Sequence, residues 1–82
     1  MGVNFEKLLV DLVTPLVIHT EDVSVTLLSE DEEVINMQIL VHQEDLGRVI
    51  GKNGKIASAI RTIAYASAAR LKKRITIDID SF

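Results

Sequence analysis

The sequence predicts an α+β fold: a two-layer sandwich in the order α-β-β-α-α-β, with a three-stranded mixed sheet and helices packed on one face. Three observations predict it. Two long stretches, residues 4–18 and 55–73, carry apolar residues at spacings of three and four. Three short runs, residues 23–28, 34–41 and 74–79, alternate apolar and polar residues as half-buried strands do. Strands with one apolar face need helices to cover it, which makes two layers. The 82 residues form one domain, and an apolar fraction of 48% supplies its core without staples.

Each element has its own signal. In residues 4–18, Phe5, Leu8, Leu9, Leu12, Val13, Leu16 and Val17 make one stripe, and Asn4 can cap the start. Pro15 removes a backbone donor and disfavours helical geometry at Thr14. The helix therefore kinks near Val13, or stops and restarts with Pro15 opening a new turn. Val23, Val25 and Leu27 alternate with Ser24 and Thr26; after the acidic turn Ser29-Glu30-Asp31-Glu32-Glu33, the run 34–41 returns as the partner of an antiparallel hairpin. Its faces are Val34, Asn36, Gln38, Leu40 and Ile35, Met37, Ile39, Val41. Residues 44–50 form a short helix with Leu46, Val49 and Ile50 on one side. In the long helix 55–73, Ile56, Ile60, Ile63, Ser67 and Leu71 read as the core stripe. Ala57, Ala64 and Ala68 make a second stripe, against which another backbone can pack closely. In 74–79, Ile75, Ile77 and Ile79 face inward; Asp78 and Asp80 face outward and mark a sheet edge protected from aggregation.

Composition narrows the function. Without cysteine there is neither a disulfide framework nor a thiolate metal site, which suits a reducing cytoplasm. His19 and His42 stand apart, in surface loops, and make no metal site by themselves. The start carries neither a signal peptide nor a myristoylation signal, because position 6 is Glu. The longest apolar run, Leu8 to Ile18, has 11 residues and is interrupted by Asp11 and Pro15, too short to span a bilayer. These features point to a soluble cytoplasmic protein without membrane partner or cofactor. No nucleophile–base pair, metal set or paired carboxylates point to an enzyme.

The net charge of −3 hides a segregation. Residues 1–45 hold ten acids and only Lys7 as a base, whereas residues 46–76 hold eight bases and no acid. Arg70, Lys72, Lys73 and Arg74 fit the C-terminal end of a helix, where the macrodipole favours cations. Arg48, Lys52 and Lys55 lie before and at the start of that helix and need another reason. They flank Gly51-Lys52-Asn53-Gly54. A glycine after a short helix is a common C-cap, and a second can start the next helix. Here Gly54 also stands where free N–H groups and the positive dipole end favour an anion. Glycines at 51 and 54 let a sugar-phosphate chain lie against the backbone. The spacing is wrong for a P-loop: three residues separate Gly47 from Gly51, and Asn53 stands where Ser or Thr would hold Mg²⁺. A dinucleotide fingerprint needs a strand before the glycines, and none is there.

Val49-Ile50-Gly51-Lys52-Asn53-Gly54-Lys55-Ile56 resembles the signature loop of the KH domain, and the element order resembles its prokaryotic, type II arrangement. Glu44 to Lys52, Ala59-Ile60-Arg61-Thr62, Ala68-Ala69-Arg70 and Arg74 to Ile79 together resemble the small bacterial single-KH RNA-binding proteins of the KhpA type, over essentially the whole chain. The resemblance implies a groove for about four single-stranded nucleotides. Gly51, Lys52, Asn53 and Gly54 would grip phosphates, with Arg48, Lys55 and Arg61 as further contacts. Ile50 and Ile56 would form an aliphatic floor, and the chain near Ile39 and Val41 the opposite wall. The floor fits a chain whose only aromatics are Phe5, Tyr65 and Phe82. The acidic turn 29–33 would form the other lip, which implies weak, low-specificity binding. The resemblance also implies pairing, with a second copy or with a larger KH-containing protein of the Jag type. It implies regulation of small RNA or mRNA linked to growth and envelope elongation.

The long helix offers a surface for such pairing. Ile63, Tyr65 and Ala66 would belong to a self-complementary face, unless the first helix covers the alanine-rich side. The expected function is non-catalytic binding of single-stranded RNA by a homodimer or heterodimer; the alternative is a protein–protein adaptor with residual RNA binding.

Overall fold

The hairpin, the final strand and the helices take the expected order in the computed structural model, which describes residues 4–82; the opening Met1–Val3, part of the segment read above for targeting signals, lies outside them. The first helix, α1, runs Phe5–Val13, and Asn4 caps it by accepting a 3.0 Å bond from the Lys7 N–H. It is shorter than residues 4–18. Pro15 stops it, and the chain restarts as a single 3₁₀ turn, Thr14–Leu16, before Val17 becomes extended. Of the two alternatives for Pro15, the restart is the one adopted.

Strand β1 (Ser24–Glu30) pairs antiparallel with β2 (Val34–Val41), and β2 pairs parallel with β3 (Arg74–Ser81), so β2 is central and the sheet mixed. The first strand runs two residues past the expected 28, because a bulge at Leu28 between the Leu27–Met37 and Ser29–Asn36 pairs lengthens it. In the acidic turn, the Asp31 carboxylate accepts the N–H groups of Glu33 and Val34 at 2.7 and 2.8 Å. These bonds hold its pKa below the ordinary value, with Lys73 adding a smaller pull in the same direction. The outer face of the sheet is polar and cross-linked: Asn36 donates to the Ser29 hydroxyl and accepts from Thr76, and Gln38 donates to Asp78.

The inner face packs Ile35, Met37, Ile39, Val41, Ile75 and Ile77 against Phe5, Leu9 and Val13 of α1 and against the long helix α3 (Lys55–Ala69). On α3 the buried residues are Ala57, Ile60, Ala64 and Ala68. The alanine stripe therefore shares the core face with Ile60 and, at its edge, Ile56, as expected of those two, whereas Ile63 and Leu71, also expected inside, stand 44% and 36% exposed. Small side chains let the helix lie close to its neighbours, and α1 covers this stripe. The helix also ends at Ala69, not at 73. The N–H of Lys73 bonds the carbonyl of Ala68 and that of Lys72 bonds Ala69, with Lys72 left-handed at φ 57°. That is a Schellman closure without the usual glycine. Among the described residues no helix is long and apolar enough to cross a membrane.

Candidate nucleic-acid interface

The chain reaches the loop through a 3₁₀ turn, Gln43–Asp45, and the five-residue helix α2, Leu46–Ile50. This divides the expected helix 44–50 at Asp45. Val49 is fully buried and anchors α2, Leu46 packs partly against the core, and Ile50 is half-buried. Gly51 ends α2: its N–H bonds the Gly47 carbonyl at 2.9 Å and its φ is 76°. Asn53 and Gly54 are also left-handed, at φ 58° and 74°. The Gly54 N–H bonds the Gly51 carbonyl and the Lys55 N–H bonds that of Lys52, closing a tight turn between the helices. No side chain caps α3 at Gly54, so the next N–H groups of its first turn stay open to an anion.

The two glycines serve different ends. A Cβ on Gly51 would lie 2.6 Å from Cγ1 of Ile56, so its hydrogen is needed for the protein's own packing. A Cβ on Gly54 would meet nothing within 4 Å. Only the Gly54 side is open to a chain outside. Lys52, Asn53 and Lys55 are exposed around it, and Ile50 and Ile56 are half-buried beneath it.

Arg48 is exposed, with its Nε 3.7 Å from the Asp45 carboxylate. Asp45 itself is fully buried and was not among the expected site residues. Its two oxygens accept the N–H groups of Ile18 and His19, at 3.0 and 2.9 Å, from a segment 26–27 residues earlier. Burial, the largest single influence, disfavours its charge, but those two bonds together with His19 and Arg48 nearby outweigh it and hold its pKa below the ordinary value. Asp45 thus fastens the exit of α1 to the entry of the loop helix.

Ile39, Val41 and Arg61 stand away from the open side of the loop. Ile39 and Val41 are fully buried in the central strand, where neighbours pair on both sides, so their side chains are turned into the core. The free edge beside α3 is that of β3. Arg74 and Phe82 direct their N–H groups to β2, which leaves the backbone N–H and C=O groups of Ile75, Ile77, Ile79 and Ser81 on the outer side of that edge. Arg61 is committed to the same edge: its Nε and one terminal nitrogen donate to the Ile77 carbonyl at 3.3 and 3.1 Å. It staples α3 to β3 instead of projecting towards the loop. The acidic turn does not oppose the loop either. Glu33 accepts from the Arg74 N–H and Glu30 pairs with Lys73 at 2.7 Å, which sets the turn at the C-terminal end of α3. The glycine loop is at the other end of that 15-residue helix, about 22 Å away at 1.5 Å per residue.

The family model described as the KH domain of KhpA/KhpB matches residues 6–79. The RNA-binding protein KhpA of Listeria monocytogenes serovar 1/2a is 45% identical over 74 residues, covering 90% of this chain and 96% of the relative. That of Bacillus subtilis strain 168 is 40% identical over 76 residues, 93% of each chain. That of Clostridium perfringens strain 13 is 40% identical over 74 residues, covering 89% and 97%. With the left-handed Gly51–Gly54 turn set between two helices on a mixed three-stranded sheet, the match over nearly the full length shows that this chain belongs to the KhpA/KhpB family of KH domains.

Proposed function

We propose that this protein binds single-stranded RNA without catalysis, by gripping the sugar-phosphate backbone at Gly51-Lys52-Asn53-Gly54. The observation that carries the reading is the open side of Gly54, ringed by Lys52, Asn53 and Lys55 at the uncapped start of α3. Relatives named as RNA-binding proteins support it. Arg48 supplies a further cation, Ile50 and Ile56 form the floor, and the β3 edge at Ile79 and Ser81 takes the place first assigned to Ile39 and Val41. The acidic turn is then no part of the wall, although the exposed Asp78 and Asp80 lie on the same strand.

The protein acts as a dimer in post-transcriptional regulation in the cytoplasm. Ile63 and Tyr65, 44% and 48% exposed, lie on either side of Ala66 on the outer surface of α3 and support pairing with a second copy or a larger KH-containing protein. Pairing two grooves raises the apparent affinity for one RNA. The double variant Lys52→Asp, Asn53→Asp tests the grip: crosslinking to RNA disappears while the circular dichroism spectrum and melting temperature stay those of the native protein. Crosslinking that survives in a folded double variant rejects the loop as the grip. The same exposed α3 surface supports the adaptor reading. In that case Ile63→Asp abolishes function and the loop variant keeps it.

A further inference from the structure

His19 and His42 are not isolated, as their separation in the sequence implied. Their rings stack with centroids 3.9 Å apart and planes 18° from parallel. The Glu44 Oε1 stands 3.6 Å from His19 Nε2 and 3.9 Å from His42 Nδ1. One nitrogen from each ring and one Glu44 oxygen all lie within 4.8 Å of one another. Asp22 and Glu21 form a second such group with His19. An open groove of about 510 Å³, lined by Asp22, His42, Gln43 and Phe82, gives access from solvent.

We propose that His19, His42 and Glu44 form a site for one divalent transition-metal ion of the Zn²⁺ class, separate from the glycine loop. Two imidazoles and a carboxylate are the donor set such ions prefer, and solvent can complete the coordination. One nitrogen is already in the form a metal needs: His42 Nδ1 accepts the backbone N–H of Glu44 at 3.0 Å, so it carries a lone pair and not a proton. The metal replaces that N–H as its partner, and the exposed Glu44 N–H turns to water. The stack must also open. Ring lone pairs lie in the ring planes, so near-parallel rings cannot both aim at one ion. Ligand atoms now within 4.8 Å must close to about 3.3 Å, the spacing set by tetrahedral bonds of about 2.0–2.1 Å. The His side chains are 31% and 34% exposed and Glu44 73%, so all three have room to turn. Glu21, Asp22 and Asp45 surround the pair with negative charge that favours a cation. Bound there, the ion would join the segment after α1 to the segment entering α2, the same two that Asp45 fastens.

The test is calorimetric titration of Zn²⁺ into the untagged full chain, stripped with EDTA and exchanged into a non-chelating buffer. One ion binds per chain, and the melting temperature rises with Zn²⁺ concentration. His19→Ala and His42→Ala each weaken binding tenfold or more, and Glu44→Gln, on an exposed side chain that leaves packing intact, at least threefold. Absence of binding to the native chain at 100-fold excess overturns the site. Binding that is unchanged in Glu44→Gln or in either histidine variant also overturns it.

Discussion

At Gly51 and Gly54 the same residue type answers two different demands, and substitution separates them. Both have positive φ, so any side chain is strained at either place. At Gly51 a Cβ also runs into Ile56, at 2.6 Å from Cγ1 and 2.9 Å from Cβ. Those atoms sit at the base of a branched side chain packed against the core and cannot swing away. Gly51→Ala therefore costs about 2–6 kcal/mol, strain in a backbone region almost reserved for glycine plus overpacking. Gly54→Ala costs only the strain, about 1–2 kcal/mol, yet puts a methyl group on the open side where the phosphate chain is proposed to lie. Urea denaturation and RNA-binding titrations on the two variants give opposite rankings: Gly51→Ala the less stable, Gly54→Ala the larger loss of affinity per unit of stability lost. Asn53 needs no such help, since its short polar side chain tolerates the left-handed region. From the sequence both glycines read as making way for a ligand. Spacing alone cannot reveal that Ile56 fills the space beside one of them, because that contact depends on the left-handed turn between them.

Among the elements, strand identity and order were legible because period-two alternation decides which face is buried, and the isoleucines of β2 and β3 obey it. Helix ends were not. Pro15 announced a break but left open which kind, and the outcome was set by the extended geometry at Val17. The end of α3 had no punctuation at all: residues 70–73 are good helix formers, and the closing left-handed residue is Lys72. Lysine pays a conformational penalty there that glycine would not. Lys72→Gly, which keeps the Schellman bonds to Ala68 and Ala69, is expected to stabilise the domain by about 1 kcal/mol, read as a raised urea midpoint with unchanged slope. A fall in the midpoint would mean that the lysine side chain itself holds the turn. Asp45 was equally hidden. An acid opening a helix reads as an N-terminal charge, and nothing nearby in sequence shows that its partners are the N–H groups of Ile18 and His19. The alanine stripe misled for a related reason: hydrophobicity ranks Ile63 above Ala64, but close approach of the neighbouring elements selects the smaller side chain.

Across the whole molecule, charge is sorted by position more than by sum. The fold carries the sorting into space: the acidic turn and the cations Lys73 and Arg74 meet at one end of α3, where Glu30 neutralises Lys73. Lys52 and Lys55 stand exposed at the other end. A chain of net charge −3 can therefore attract a polyanion at one end of one helix, and salt dependence measures how many phosphates it engages. For a single strand, log K falls against log[salt] with a slope of about −0.7 per phosphate neutralised. If Arg48, Lys52 and Lys55 each neutralise one, fluorescence anisotropy with a labelled single-stranded oligonucleotide between 50 and 200 mM salt gives a slope of about −2. Arg48 is partly compensated by Asp45 at 3.7 Å, so its share is the smallest of the three. The double variant Lys52→Gln, Lys55→Gln lowers the slope to about −0.7 or less. A slope that does not change in that variant would move the phosphate contacts to the opposite end of α3, where Arg70, Lys72 and Arg74 are the exposed cations.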